Sequence, residues 1–441
     1  MFISIASKNF KLHKLKFSLL GISALLLLQL FFACKSTEVE EVIFENSVDN
    51  IQSVENIQSV GNIQVEEIFP QEIEEEPEVD LSNNQISLMF AGDIMAHTQN
   101  YIISEYSKIY RDVKDLIEPV DLAFANIEAP FDTSRPASSY PNFNMTKKYV
   151  CAAVDAGFDV FSLCNNHTND QGLEGILETI KTSNQITKEY AEKDIPVYFS
   201  GTKNSSEADF TYNLIEKKGW KILFLPITEL LNSPQHSSYI NFVKTDDKSR
   251  KEFASYIKNL RENNPCDLFI LSLHTSEPEY TRVISERQRN YYLELLDAGA
   301  DIIMANHAHI VKDREFVYNS KNGSQKLIMY ANGNVISGQR TRPDFASKYP
   351  DFERDNTGDG LFFYVTYQKD PNNPQSAPKI VASHKQFITT YINTANEYVL
   401  KKLDEDFVKY LYEVQRTNWA EYIKRRIKID NTTTKDLITW Q

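Results

Sequence analysis

In the stretch Ile86-Ser-Leu-Met-Phe-Ala-Gly-Asp93-Ile-Met-Ala-His97, a short apolar run passes directly into an aspartate and then a histidine. Runs this short and apolar suit strands covered on both faces. In open α/β sheets, ligands collect beyond the carboxyl ends of such strands. The plan recurs along the chain. Residues 122–125 lead into Asn126-Ile-Glu128, and 158–163 into Asn165-Asn166-His167-Thr-Asn-Asp170. Residues 268–273 lead into His274-Thr-Ser-Glu277, and 302–305 into Asn306-His307-Ala-His309. Five strand ends could thus bring Asp, Glu, Asn and His to one edge. Divalent metals take deprotonated carboxylates, neutral imidazoles and occasional amide oxygens, so the set suggests a site for two ions.

Working outward, helical spacing appears at Leu173, Ile176, Leu177 and Ile180, and again at Tyr292, Leu295, Leu296 and Gly299. Strand-like runs lie at 197–199, 222–225, 327–331 and 361–367. The alternation predicts helices layered on sheets over residues 85–370. Residues 371–441 are read as a helical C-terminal extension, because 393–429 is charged, aromatic-rich and helical in pattern.

The first residues read as a targeting segment. Lys8, Lys11, Lys14 and Lys16 precede an apolar run at 17–33, short for a membrane span of about 20 residues. Phe31-Phe-Ala-Cys34 resembles a bacterial lipoprotein signal in which Cys34 is acylated, with Phe31 where an aliphatic residue is usual; a single-pass anchor is the alternative. On either reading the globular part is exported. Residues 35–84 hold a six-residue repeat beginning at Asn50, Asn56 and Asn62, then an acidic stretch. With no face to bury, this segment is expected to be a disordered tether. The formal charge is −14, which argues against nucleic acid as a partner. Polyanionic substrates stay open, since bound metal reverses the sign locally. Cys151, Cys164 and Cys266 allow at most one disulfide, so the chain has no disulfide framework.

Each candidate has a plainer reading when taken alone. Asp93 follows Gly92, where a tight turn would let it project, yet most such aspartates only cap turns. Glu128 alone is a solvated strand end, and Asn165 or Thr168 could simply cap the following helix. His307 and His309, as alternate residues of an extended segment, face one side and can reach one site. Together, the five sites are not explained as turns and caps. His97 is a further metal candidate, whereas His236 and His384 read as surface residues. Cys164 reads as a small buried hydrophobe, and Arg282, Arg287 and Arg289 as a solvated helix face.

These motifs in this order, followed by Tyr330-Ala-Asn-Gly-Asn334, resemble the CapA family of bacterial envelope proteins associated with poly-γ-glutamate capsule synthesis. That family resembles the calcineurin-like metallophosphoesterases. The resemblance covers about residues 86–366. It implies a four-layer α/β/β/α metallophosphatase-like sandwich with a centre for two divalent ions, with Mn, Zn, Fe and Mg all admissible. Carried over, Asp93 and His309 would hold the first metal and Glu128 would bridge. Asn166, His274 and His307 would hold the second, with His167 as general acid and Asp170 its catalytic companion.

Three departures stand out. Met95 occupies the histidine position of the Asp-x-His motif, with His97 two residues further on. Thr275-Ser276 replace Trp-Gly, leaving Glu277 and Glu279 as candidates for the family's glutamate. Ala331-Asn332 and Val335 replace Ser-Leu and Phe. The expected function is a lipid-anchored envelope hydrolase acting on a polyanionic polymer such as poly-γ-glutamate, or on an envelope precursor. The alternative is a non-catalytic accessory that binds polymer or capsule synthase subunits through the same edge. A third reading is a plain structural lipoprotein whose site is a relic.

Overall fold

The computed structural model describes residues 84–441, apart from Phe352 and Pro374. The leader, Cys34 and all but the last residue of the tether lie outside the described residues. Four parallel strands open the first sheet: β1 (Gln85–Ile94), β2 (Leu122–Ile127), β3 (Val160–Ser162) and β4 (Tyr198–Ser200). Between them come the short helices α1 (Thr98–Tyr101), α2 (Ser107–Tyr110) and α3 (Lys114–Ile117), then the longer α4 (Lys147–Asp155) and α5 (Gly172–Ala191).

The chain next builds a second sheet. A hairpin of β5 (Asn213–Lys217) and β6 (Trp220–Thr228) is followed by β7 (Leu268–His274) and β8 (Ile302–Asn306), both parallel to β6. Helices α6 (Asp247–Asn263) and α7 (Glu286–Ala298) make the crossovers, and β9 (Arg314–Tyr318) and β10 (Gln325–Met329) follow. The chain then returns to the first sheet. There β11 (Asn334–Ile336) pairs with β1, and β12 (Asp359–Gln368), β13 (Lys379–Ile392) and β14 (Tyr398–Lys402) extend the sheet. The short α8 (Glu353–Asn356) precedes β12; α9 (Glu405–Glu413), α10 (Thr417–Thr433) and β15 (Asp436–Trp440) close the chain. The orders are β14-β13-β12-β1-β2-β3-β4 and β15-β9-β10-β8-β7-β6-β5.

Period-two alternation explains why the strands read as unbroken apolar runs. Ile222, Phe224, Leu268, Ile270, Ile302 and Met304 join the core shared with the first sheet. Their neighbours Leu223, Leu225, Phe269, Leu271 and Ile303 pack instead with Phe253 and Ile257 of α6 and Leu295 and Leu296 of α7. Phe124 of β2 meets Phe224 of β6 with ring centroids 5.5 Å apart, which places the two sheets face to face. Helices α4 and α5 pack on the first sheet through Tyr149, Val150, Ala153, Ile186 and Tyr190. The result is the expected four-layer α/β/β/α sandwich. Each fully buried large side chain contributes roughly 1.5–3 kcal/mol to holding it.

Two expectations need correction. Gly92 makes no tight turn, for β1 continues through it, with a bulge against β2 between Phe90 and Asp93. A Cβ there would lie 1.8 Å from the Gly333 carbonyl oxygen, which accepts the Asp93 N–H at 3.0 Å. The glycine is there for close approach of two backbones. Residues 371–441 are also no helical extension. Strands β13 and β14 complete the first sheet and β15 joins the second, parallel to β9, so only α9 and α10 match the helical reading. The strand was hidden because residues 379–386 are largely polar and mostly exposed, and the buried Phe387-Ile-Thr-Thr-Tyr391 is broken by two threonines, so neither alternation nor an apolar run marks it.

Candidate metal centre

Parallel pairing aligns the carboxyl ends of the strands. Asp93 lies beside Asn126 in register, and Thr228, His274 and Asn306 stand abreast in the second sheet. Glu128 follows β2, Asn166 and His167 follow β3, and His307 and His309 follow β8. All six candidate ligands are buried: Asp93, Glu128, Asn166, His274, His307 and His309.

Asp93 is fixed by Asn126, whose Nδ2 donates to Oδ1 at 2.8 Å, and its other oxygen lies 3.4 Å from His309 Nδ1. The amide of Asn334 orients that imidazole. Its Nδ2 donates to the Thr357 carbonyl at 2.9 Å and to Gln339 Oε1 at 2.8 Å, so its Oδ1, 3.0 Å from His309 Nδ1, must be the acceptor. His309 therefore carries its proton on Nδ1, and Nε2, 3.6 Å from Glu128 Oε1, is free to bind a cation. His274 Nε2 lies 3.7 Å from the same Glu128 oxygen and 2.8 Å from Asn166 Oδ1.

Glu128 thus lies within reach of both His309 and His274, which in turn meet Asp93 and Asn166. Two groups of three, Glu128–His307–His309 and Asp93–Glu128–His274, have ligand atoms all within 4.8 Å of one another, with Glu128 common to both. Both Glu128 oxygens, His274 Nδ1 and His307 Nδ1 are buried without a hydrogen-bond partner among the described residues. Orphaned buried polar atoms are costly and rare. The Glu128 oxygens lie among the oxygen and nitrogen donors a divalent cation takes, and the residues fit such an ion.

The electrostatics agree. Burial, and then the Asp93 and Glu279 carboxylates, push Glu128 well above the usual carboxylate range. A bound cation would invert that preference. Burial, and then the neighbouring imidazoles, hold His274 far below its ordinary value and bring His307 to about 3. Burial opposes protonation of His309 too, but the Asp93 hydrogen bond and charge outweigh it and raise it. His274 and His307 are therefore in the neutral form that ligates.

The two histidines of His307-Ala-His309 converge by a different route from the one the sequence suggests. The segment after β8 is bent, with φ of +92° at His307 and +56° at His309. Side chains rarely adopt such backbone, and the strain sits where the donors meet.

His167 lies beside this set. Its Nδ1 is 2.7 Å from Asp170 Oδ2, and an ionised carboxylate can only accept, so the proton is assigned to Nδ1. Asp170 also accepts the Phe143 N–H at 2.8 Å. A cavity of about 430 Å³ opens here, its walls including His97, Asn142, His167, Glu279 and Gln339. Of the two candidate glutamates, Glu279 faces the centre, 3.7 Å from His307 Nε2, while Glu277 is engaged by Ser285. His97 lies on the cavity wall, outside both groups of three.

Sequence reasoning missed Asn232. Its Nδ2 is 3.1 Å from His167 Nδ1 and its Oδ1 accepts from Asn166 at 3.2 Å. It sits in a loop beyond β6 with no histidine or acid beside it to mark it. Asn126 and Asn334 were legible as motif letters but not as the residues that orient Asp93 and His309.

Fold and site together define a two-sheet α/β protein with a divalent-metal donor set at its carboxyl strand ends. A family model described as "Bacterial capsule synthesis protein PGA_cap" matches residues 87–339, more than half of the chain, and the chain belongs to that family. The capsule biosynthesis protein CapA of Bacillus anthracis is 26% identical over 272 residues, covering 58% of this chain and 61% of that protein. The PGA biosynthesis protein CapA of Bacillus subtilis (strain 168) is 25% identical over 277 residues, covering 61% and 68%. The chain thus matches about three fifths of the length of the first of these relatives. Among solved structures, the calcineurin-like phosphoesterase YfkN from Bacillus subtilis aligns over 77% of this chain and 99% of its own, at 12% identity and a TM-score of 0.39. A hypothetical protein from Thermus thermophilus aligns over 68% and 98%, at 15% identity and a TM-score of 0.37. Likenesses that shallow say nothing about chemistry.

Proposed function

We propose that this protein is an exported, lipid-anchored, metal-dependent hydrolase of the cell envelope. Its substrate would be a polyanionic capsule polymer such as poly-γ-glutamate, or an envelope precursor. The observation that carries the reading is Glu128: a buried carboxylate with both oxygens unpaired, 3.6 Å from His309 Nε2 and 3.7 Å from His274 Nε2. Two divalent ions held there would supply Lewis acidity toward a phosphoryl or acyl oxygen and would activate water. Around them, a doubly protonated His167, its Nδ1–H held by Asp170, would give the Nε2 proton to the leaving group and recover one from water, while Asn232 keeps Asn166 in place. The polymer, and any synthase subunit bound with it, would approach through the cavity mouth. Metal analysis of the full chain tests this, with turnover assayed on a phosphoester and on a γ-glutamyl amide before and after chelation. Full metal content with chelator-sensitive cleavage of one bond type is expected, and cleavage indifferent to chelation would sink the reading.

Met95 favours a second reading, a capsule accessory that binds polymer or synthase without cleaving it. It puts a thioether on the cavity wall where the phosphoesterase pattern has a ligand. Substoichiometric metal, with polymer binding unaffected by chelation, would establish that reading instead. Anchoring rests on the leader and Cys34. No helix among the described residues is long and apolar enough to cross a membrane. Wild type should partition into detergent and Cys34→Ser should not; equal partitioning would argue for a spanning anchor.

A further inference from the structure

The place left by Met95 makes His97 the obvious substitute ligand, yet its hydrogen bonding speaks against that role. The Gly338 N–H points at His97 Nδ1 from 3.1 Å. A backbone N–H can only donate, so Nδ1 is an acceptor and the proton of the neutral ring sits on Nε2. A ring so engaged offers a cation neither nitrogen: Nδ1 is taken and Nε2 carries hydrogen. The contact is built in. A Cβ on Gly338 would lie 2.5 Å from the His97 Cβ, so only glycine lets the two backbones come this close. Phe143 fixes the ring's other side edge-on, centroids 4.9 Å apart, and makes a matching contact with His167 at 4.8 Å. The two imidazoles therefore flank one aromatic ring on the wall of the 430 Å³ cavity, with the neutral amides of Asn142 and Gln339 nearby.

We propose that His97 is a ligand-binding residue, its Nε2–H donating to an anionic oxygen of the molecule in this cavity. This inference rests on the reading of the cavity as the mouth of a metal centre and deepens it. The ligand carries an oxyanion, phosphoryl or carboxylate, held between His97 and the donor set. Bonds to charged acceptors are the stronger class, so losing this one should cost about tenfold in affinity.

Three measurements on the full chain decide the matter. With histidine nitrogens isotope-labelled, the His97 ring, identified by the signals that vanish in His97→Gln, should show a protonated Nε2 and a bare Nδ1. His97→Ala should keep wild-type metal content. The same variant should bind inorganic phosphate or γ-glutamylglutamate about tenfold more weakly, and His97→Gln, which retains an N–H donor, should recover most of the loss. A response to phosphate alone names a phosphoryl ligand, and a response to the dipeptide alone names a carboxylate. Loss of metal in His97→Ala, a protonated Nδ1, unchanged affinity for both probes, or no affinity of wild type for either would overturn the proposal. A wild-type chain that takes up no metal would sink the metal-centre reading instead; the tautomer signal needs no metal and would still judge His97.

Discussion

At the scale of single residues, the centre separates groups that hold a cation from groups that serve it. His167→Ala should retain metal while turnover falls by about 10²–10⁴, the usual cost of a lost general acid. His309→Ala or His274→Ala should lose metal, because each offers a donor atom facing Glu128. Metal analysis beside a rate assay reads both, and an empty His167→Ala site with a full His309→Ala site would reverse the assignment. Asn334→Ala should weaken metal binding by roughly 10–100-fold, although the residue is no ligand, because it fixes the His309 ring. Competition with a coloured chelator measures that shift. The ligand letters were legible because short apolar runs ended in them. Asn232, and the bent backbone at His307 and His309, were not, since neither leaves a pattern in composition or period.

At the scale of elements, the strand ends are tied by polar stitches whose cost depends on pH. Asp159 precedes β3, accepts the Ala123 N–H at 2.8 Å, and receives the Tyr198 N–H on its carbonyl, so it joins β2, β3 and β4. Burial raises its carboxyl from 3.8 to about 6. A raised folded value means the stabilising form is the protonated one. Its contribution is fully present below 3.8 and is lost as pH climbs through 6. Asp159→Asn keeps the acceptor oxygen without the charge. It should raise the melting temperature at pH near 8, by up to about 3 kcal/mol in stability, with the gain fading toward pH 4. Thermal melts across that range check it, and a gain independent of pH would refute the assignment. Element identity was readable wherever one strand face met helices and the other met the opposite sheet, as in β6, β7 and β8. Strand β13 escaped because its exposed half is largely polar and its buried half, Phe387-Ile-Thr-Thr-Tyr391, is broken by threonines, so no apolar run marks it.

Across the whole molecule, the tail is bound to the sandwich by buried charge. Arg340 and Arg426 converge on Asp359, Arg340 Nη1 donating to its Oδ1 at 2.8 Å and Arg426 Nε to its Oδ2. Arg426 also reaches Asn356 at 2.8 Å, and Tyr422 donates to Asp355. Removing one partner of such a set leaves buried charge unbalanced. Arg426→Leu should therefore destabilise the fold by about 3–5 kcal/mol, measurable by denaturant titration, and a loss under about 1 kcal/mol would show the network to be incidental.

That shared aspartate also bears on how such proteins could be recombined. The family match ends at residue 339, one position before Arg340, and the second arginine arrives from α10. All three charges lie beyond residue 339, so a tail cut there carries the whole balance, whereas a cut between Asp359 and Arg426 would split it. A chimaera that grafted a foreign tail after residue 339 would have to bring Arg340, Asp359 and Arg426 together as one inherited block.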